Sequence, residues 1–298
     1  MFPYFERPRA MASTESEEVK GEKQNDELPT DQPIQPKTLA EQVSQNEQEM
    51  YNRTQQQFQD IEEEIRKTQV LVSKKEEIAA LVAEYDPQIS AKYFAKAQEL
   101  AQKYSQIQRI RGDGNCWYRA VLVAELDRVF NDKSELDRFI DLCKGWRQRM
   151  ANFGFPELTT EDFCDAIDDV LTSIKNGTKN LDFLYDDLNN ENYANYLVAF
   201  MRMITSAYLR ENEALYSGFI EGERTVDRYC KDEIEAMWKD SDHLAIIGLV
   251  NAIEVPVRIE YMDQTQAPNG GWQHDIGDGE PKLHFLYRPG HYDVLYLK

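Results

Sequence analysis

Cysteine is scarce in this chain: four residues in 298, at Cys116, Cys143, Cys164 and Cys230, with no C-x-x-C pair and none beside His243, His274, His284 or His291. That spacing excludes a zinc site and a disulfide framework. Basic residues are also short, 34 against 54 acidic ones for a net charge of -20. The densest basic stretch, Arg138 to Arg149, is interleaved with apolar and acidic residues. Phosphate binding needs clustered Lys and Arg, so no nucleic-acid partner is expected. Long apolar runs are missing too. The longest, Leu244 to Val250, falls far short of the ~20 residues of a bilayer span, and the opening MFPYFERPRA has no apolar region of signal-peptide length. The reading is a soluble, non-secreted protein with no membrane partner, its thiols reduced as in cytoplasm or nucleus.

Between Glu6 and Met50 there is no aromatic residue, and Pro8, Pro29, Pro33 and Pro36 interrupt a run of Glu, Gln, Ser, Lys and Asp. Such a stretch cannot bury enough apolar surface to offset its ordering entropy, so residues 1–50 read as a disordered acidic tail. From 51 to 104 the spacing predicts a helical arm. Phe58, Ile61, Ile65, Ile78, Leu81, Val82 and Tyr85 fall at three-and-four intervals up to Asp86-Pro87, and Tyr93, Ala97, Leu100 and Tyr104 continue the stripe.

All the cysteines, histidines and tryptophans lie beyond Gln106, which sets 105–298 apart as the globular, chemistry-bearing domain. Thr159-Thr160 with Glu161 and Asp162 reads as a helix start, followed by the stripe Phe163, Ile167, Val170, Leu171 and Ile174. Tyr196 to Leu209 is apolar nearly all round and broken mainly by Arg202, as in a buried helix. Val226 to Met237 and Leu244 to Ile253 predict two more helices. Then the period changes to two. Val255, Val257, Ile259 and Tyr261 alternate with Arg258 and Glu260, which predicts a strand with one solvated face. Lys282 to Tyr287 and Tyr292 to Leu297 flank Arg288-Pro289-Gly290-His291, a type II turn signature that makes those strands antiparallel. Helices first and a meander-like sheet last give an α+β class.

Three cysteines sit on core stripes and read as small buried hydrophobes. Cys116 differs, because it follows Gly112-Asp113-Gly114-Asn115 and precedes a helical run from Trp117 to Leu122. A thiol in a first helical turn faces the positive end of the dipole and unpaired N–H groups, which favour thiolate and can hold an oxyanion. On this motif alone, a loop cysteine capping a helix is an equal reading. His291 opens a strand with Asp293 two residues on, so both project from one face, where a carboxylate can orient an imidazole. His243 has Asp242 beside it but reads as a cap or core histidine; His284 and His274, the latter in the Gly-rich loop Gln264 to Pro281, show no comparable partner.

The combination of Gly-Asp-Gly-Asn-Cys before a helix and Pro-Gly-His-x-Asp in the last strand resembles the ovarian-tumour (OTU) family of cysteine deubiquitinases, and within it the otubain branch. The stretches LDFLYDDLNNENYANYLVAFMRMITSAYLRENEALYSGFIEGERTV, SDHLAIIGLVNAIEVPVRIEYMD and EPKLHFLYRPGHYDVLYLK are similar to otubains as well. The resemblance runs from about Tyr104 to the C-terminus, with a looser match in the arm; one departure is Trp117, where another aromatic is common.

The resemblance implies a papain-like fold, a mostly antiparallel sheet packed between helical subdomains, and a thiol hydrolase cutting the isopeptide bond between a ubiquitin C-terminus and a lysine. Cys116 matches the family nucleophile, His291 the general base and Asp293 its orienting residue. Asp113 matches the signature aspartate, whose segment is expected to line the oxyanion hole. No metal or organic cofactor is implied. Ubiquitin and polyubiquitin chains are the implied substrates, with a preference for the linkage that marks proteins for degradation. The competing reading is a binding function, in which ubiquitin and a ubiquitin-conjugating enzyme are gripped and ubiquitin transfer is blocked without cleavage.

Overall fold

Alternation along the strands sorts apolar side chains onto both faces of one sheet, and helices cover each face. A computed structural model describes residues 63–263 and 272–298, with isolated positions between 50 and 60. The elements are β1 (Val72–Glu77), α1 (Ala79–Ala83), α2 (Ala91–Lys103), β2 (Tyr104–Ile110), α3 (Cys116–Asn131), α4 (Lys133–Ala151), α5 (Glu157–Lys175), α6 (Leu181–Asn189), α7 (Glu191–Glu211), α8 (Glu213–Tyr216), α9 (Val226–Tyr229), α10 (His243–Ile253), β3 (Val257–Tyr261), β4 (Gln273–Ile276), β5 (Leu283–Arg288) and β6 (His291–Leu297). The strand order is β1-β2-β6-β5-β3-β4. Neighbours are antiparallel except β3 and β5, which run parallel. The α+β expectation holds.

The larger core lies between one sheet face and the helices α3 to α7 and α10, with Ile110, Val257, Ile259, Phe285 and Val294 pointing into it. The next residues along the same strands, Leu286 and Leu295, join Ile107 and Tyr104 in a second core that α1 and α2 close with Ile78, Leu81, Ala97 and Leu100. Helix starts follow local capping chemistry. Asp132 accepts from Ser134 N and Glu135 N to open α4, and Asp242 accepts from Ala245 N at 3.0 Å to open α10, each satisfying first-turn donors. The Pro289-Gly290 connection pairs Arg288 with His291, and Gly290 at φ 75° supplies the positive φ of a type II turn.

Several expectations need correction. The helical arm over 51–104 is interrupted: residues 72–77 form a strand, hydrogen-bonded antiparallel to β2, because backbone pairing along a sheet edge outweighs a weak helical stripe. Tyr104 opens β2 rather than closing a helix. One compact unit spans Thr54–Lys298. Phe58 and Ile61 of that stripe, and residues 1–49 of the acidic tail, lie outside the described residues. The helix expected at Thr159-Thr160 begins earlier, at Glu157 after Pro156. The segment expected as one helix from Val226 is a single turn, then a wider π-type turn at Cys230–Ile234. His274 sits in β4 and not in a loop. The face of β3 expected to be solvated is covered by α2. Glu260 is fully buried and accepts from Lys96 Nζ at 3.2 Å and Tyr104 Oη at 3.1 Å. An alternating polar residue signals solvent only when no second layer lies above it.

The second core rests on few side chains, and Leu100 is among the fully buried ones. Leu100→Ala is expected to lower stability by about 2–5 kcal/mol, read as a reduced denaturant midpoint with an unchanged slope. A change below about 0.5 kcal/mol would mean that α2 is not packed on the sheet as described.

Candidate active site

The start of α3 is fixed before its first residue. Asp113 folds the preceding loop by accepting from Asn115 N at 3.1 Å and from Arg119 Nη1 at 2.8 Å through Oδ1, while Oδ2 accepts from Arg111 Nε at 3.3 Å. Gly114 has φ 74°, and a Cβ there would stand 2.2 Å from the Trp238 carbonyl oxygen, so only glycine fits. Asn115 turns its Oδ1 away from the helix to accept from Arg202 Nε and Nη2 at 3.1 and 2.8 Å and from Trp238 N at 3.1 Å. Its side chain therefore does not cap α3. The first-turn N–H groups point toward the Cys116 end with no side-chain acceptor from the N-cap, a ready oxyanion site.

Trp117, the departure noted in the sequence, is fully buried with ring centroids 5.1 Å from Phe285 and 4.9 Å from Tyr292. It packs the first turn of α3 against β5 and β6. That contact sets Cys116 beside His291, near enough for the thiol to favour the protonated imidazole. The imidazole uses Nε2 for Asp293 Oδ1 at 3.1 Å, which leaves Nδ1, the nitrogen above Gly112, for the thiol. Asp293 is completely buried. It also accepts from Ile110 N at 2.9 Å and Arg288 Nη2 at 2.6 Å, and Arg109 Nη1 lies 3.5 Å away.

These contacts set the charge states. Burial works against the Asp293 charge, but the hydrogen bond from His291, its charge and that of Arg288, and the Ile110 amide hold the carboxyl below its usual range. Burial likewise disfavours protonated His291, yet the hydrogen bonds to Asp293 and Cys116 and their charges outweigh it and lift the imidazole to about 9. At the other thiols burial outweighs the favourable neighbours, Arg138, Arg147 and Arg210 among them. Burial pushes Cys143 well above its ordinary value and Cys164 and Cys230 each up to about 11, as expected of inert core cysteines.

The structure thus brings Cys116, His291 and Asp293 together, while Asp113 braces the loop between Arg111 and Arg119. His243 and its neighbour stay apart from this cluster, Asp242 being the α10 cap that also accepts from Tyr229 Oη at 2.6 Å. His284 does have a partner, since its Nδ1 lies 3.1 Å from Tyr104 Oη; burial lowers its pKa. Sequence reading did not assign Arg202, Arg288 or Arg109 to the site. Arg202 had left a signal as the main charge in an apolar helix. It is buried, and besides Asn115 it donates to the carbonyls of Gly114, Ile234 and Lys239 at 2.8–2.9 Å. A groove of about 560 Å³ opens beside His291, lined in part by Val70, Arg109, Gly112, Arg288 and Gly290.

The family description Peptidase C65 Otubain matches residues 63–297. The chain is 45% identical over 247 residues to a ubiquitin thioesterase otubain-like protein of Caenorhabditis elegans, covering 82% of this chain and 87% of that one. It is 38% identical over 237 residues to ubiquitin thioesterase OTUB1 of Homo sapiens, covering 79% and 86%. Among solved structures it superposes with a TM-score of 0.79 at 44% identity on the h/ceOTUB1 chain of a complex with ubiquitin aldehyde and UBCH5B~Ub, covering 84% of this chain and 99% of that one. With the α+β sheet, the loop-to-helix cysteine and the strand-borne histidine all in the matched region, the fold is the papain-like OTU fold and the chain belongs to the peptidase C65 otubain family.

Proposed function

We propose that this protein is a cysteine deubiquitinase that hydrolyses ubiquitin–lysine isopeptide bonds, with Cys116 as nucleophile, His291 as general base and acid, Asp293 orienting the imidazole and Asp113 bracing the oxyanion loop. The observation that carries this reading is the Nε2–Oδ1 bond of 3.1 Å between His291 and buried Asp293, with the ring's other nitrogen left for Cys116. Membership of a family whose named relatives are ubiquitin thioesterases supports ubiquitin as the substrate.

In the attacking state the thiol proton is on His291 as the imidazolium, and the Cys116 sulfur attacks the terminal glycyl carbonyl. The oxyanion forms against the N–H groups at the start of α3, and the tetrahedral species collapses as His291 protonates the departing lysine amine. Water, deprotonated by His291, then attacks the thioester and releases ubiquitin with a free carboxylate, restoring the thiol. Every step uses residues of this chain. The resemblance to otubains further supports a preference for the chain linkage that marks proteins for degradation. It also supports engagement of ubiquitin-conjugating enzymes, since solved relatives are held with UBCH5B~Ub and UBC13~Ub; that binding function can operate beside cleavage.

Ubiquitin carrying a thiol-reactive group at its C-terminus is expected to add once, at Cys116, and intact mass with peptide mapping reads the site. Cys116→Ala should abolish addition and chain cleavage at an unchanged unfolding midpoint, whereas modification of native Cys143, Cys164 or Cys230 would contradict the assignment.

The raised pKa of His291 also fixes a pH dependence. The imidazolium that protonates the leaving amine is present below about 9 and is lost as pH rises through that value, so turnover should fall on an alkaline limb near 9. Asp293→Asn removes a hydrogen bond and a charge that favour the protonated ring. The limb should therefore move to lower pH, with turnover reduced, while His291→Ala should lose about a hundredfold or more. An alkaline limb that does not move in Asp293→Asn would contradict the pairing.

A further inference from the structure

Trp238 has no part in the chemistry described so far, yet its backbone is unusual. It is a bulky residue at φ 65°, the left-handed region that such side chains avoid, and the residue is 51% exposed. Nothing about folding favours an exposed tryptophan in a strained conformation, and strain of this kind persists where surrounding contacts impose it. Here they tie it to the cysteine loop. Trp238 N donates to Asn115 Oδ1 at 3.1 Å, the Trp238 carbonyl seats against Gly114, and the next carbonyl, of Lys239, accepts at 2.8 Å from the Arg202 guanidinium that also holds Gly114 O at 2.9 Å.

The two flanks of the thiol differ. His291 lies above Gly112 with the open groove beyond it. Because the departing amine takes its proton from His291, the leaving group occupies that flank and the acyl tail comes in past the other, where Gly114 meets Trp238. Resting on the deubiquitinase reading above, we propose that Trp238 forms the wall of the acyl-side channel, with its indole lying flat on the glycine-ended tail of ubiquitin. Glycines present bare peptide planes that an aromatic face can approach at van der Waals distance. A tail with a side chain there is held off, so the same residue selects for glycine.

The test compares wild type, Trp238→Gly and Trp238→Phe on ubiquitin bearing a C-terminal fluorogenic amide, and on the same substrate with its penultimate glycine replaced by alanine. Glycine accepts a left-handed backbone freely, so Trp238→Gly removes the indole without disturbing the loop; alkylation of Cys116 by a small haloacetamide, at an unchanged rate, checks this. In Trp238→Gly, KM should rise about tenfold with kcat within about twofold, the signature of lost uniform binding, and discrimination against the alanine tail should relax about tenfold. Trp238→Phe should restore most of both. An unchanged KM in Trp238→Gly beside an active wild type would overturn the inference. So would a fall in kcat accompanied by slower Cys116 alkylation and no rescue by phenylalanine, which would make Trp238 merely structural. A wild type with no turnover on either ubiquitin substrate would instead overturn the deubiquitinase reading, and the inference with it.

Discussion

The buried carboxylate of Asp293 is the constraint around which the site is organised. An ionised group fully removed from solvent survives only if its lone pairs are met. Those of Asp293 are met from three strands: Ile110 N of β2, Arg288 of β5 and His291 of its own β6, with the Arg109 guanidinium close by. Each depends on register. The antiparallel pairings of β6 with β2 and β5 carry these donors to one point, and a slip of one residue would turn Asp293 to the opposite face. The sheet is thus the scaffold of His291, and the charge it buries favours the protonated imidazole.

Cys116 is held by separate means, and the two halves meet through packing. A buried guanidinium, Arg202 from α7, ties the loop before Cys116 to the segment ending in Lys239, while Asp113 ties the same loop to α3 itself through Arg119. Trp117 then presses α3 on β5 and β6. The effect of these residues is positional, and a reacting pair gains most of its advantage from being held in place beforehand.

Much of this was legible in the chain because chemistry and periodicity coincided. Turn-formers before an apolar helical run marked Cys116, and an i, i+2 pair on a period-two strand marked His291 and Asp293. Core spacing separated Cys143, Cys164 and Cys230 from Cys116. What escaped were features whose meaning lies in long-range pairing. The Val72–Glu77 strand carries Lys, Lys, Glu, Glu, a composition that suits a solvated edge strand but gives no local β signal. Glu260 read as a solvent-facing residue because nothing in its own strand announces the α2 layer above it. Arg202 stood out as a charge in an apolar helix, but its partners are 87 residues away at Asn115 and 37 residues away at Lys239. Arg288 sits in the turn signature itself and was read for its geometry, not for the carboxylate it reaches.

The central claim is that buried Asp293 holds His291 protonated beside Cys116 in the resting protein. Nuclear magnetic resonance titration of the His291 ring in the free protein tests this without any substrate. The account predicts an imidazolium at pH 7.5 with a titration midpoint near 9, moving down when Asp293 is replaced by Asn. A neutral ring at pH 7.5, titrating near the ordinary histidine value of about 6.5 whether or not Asp293 is present, would contradict it.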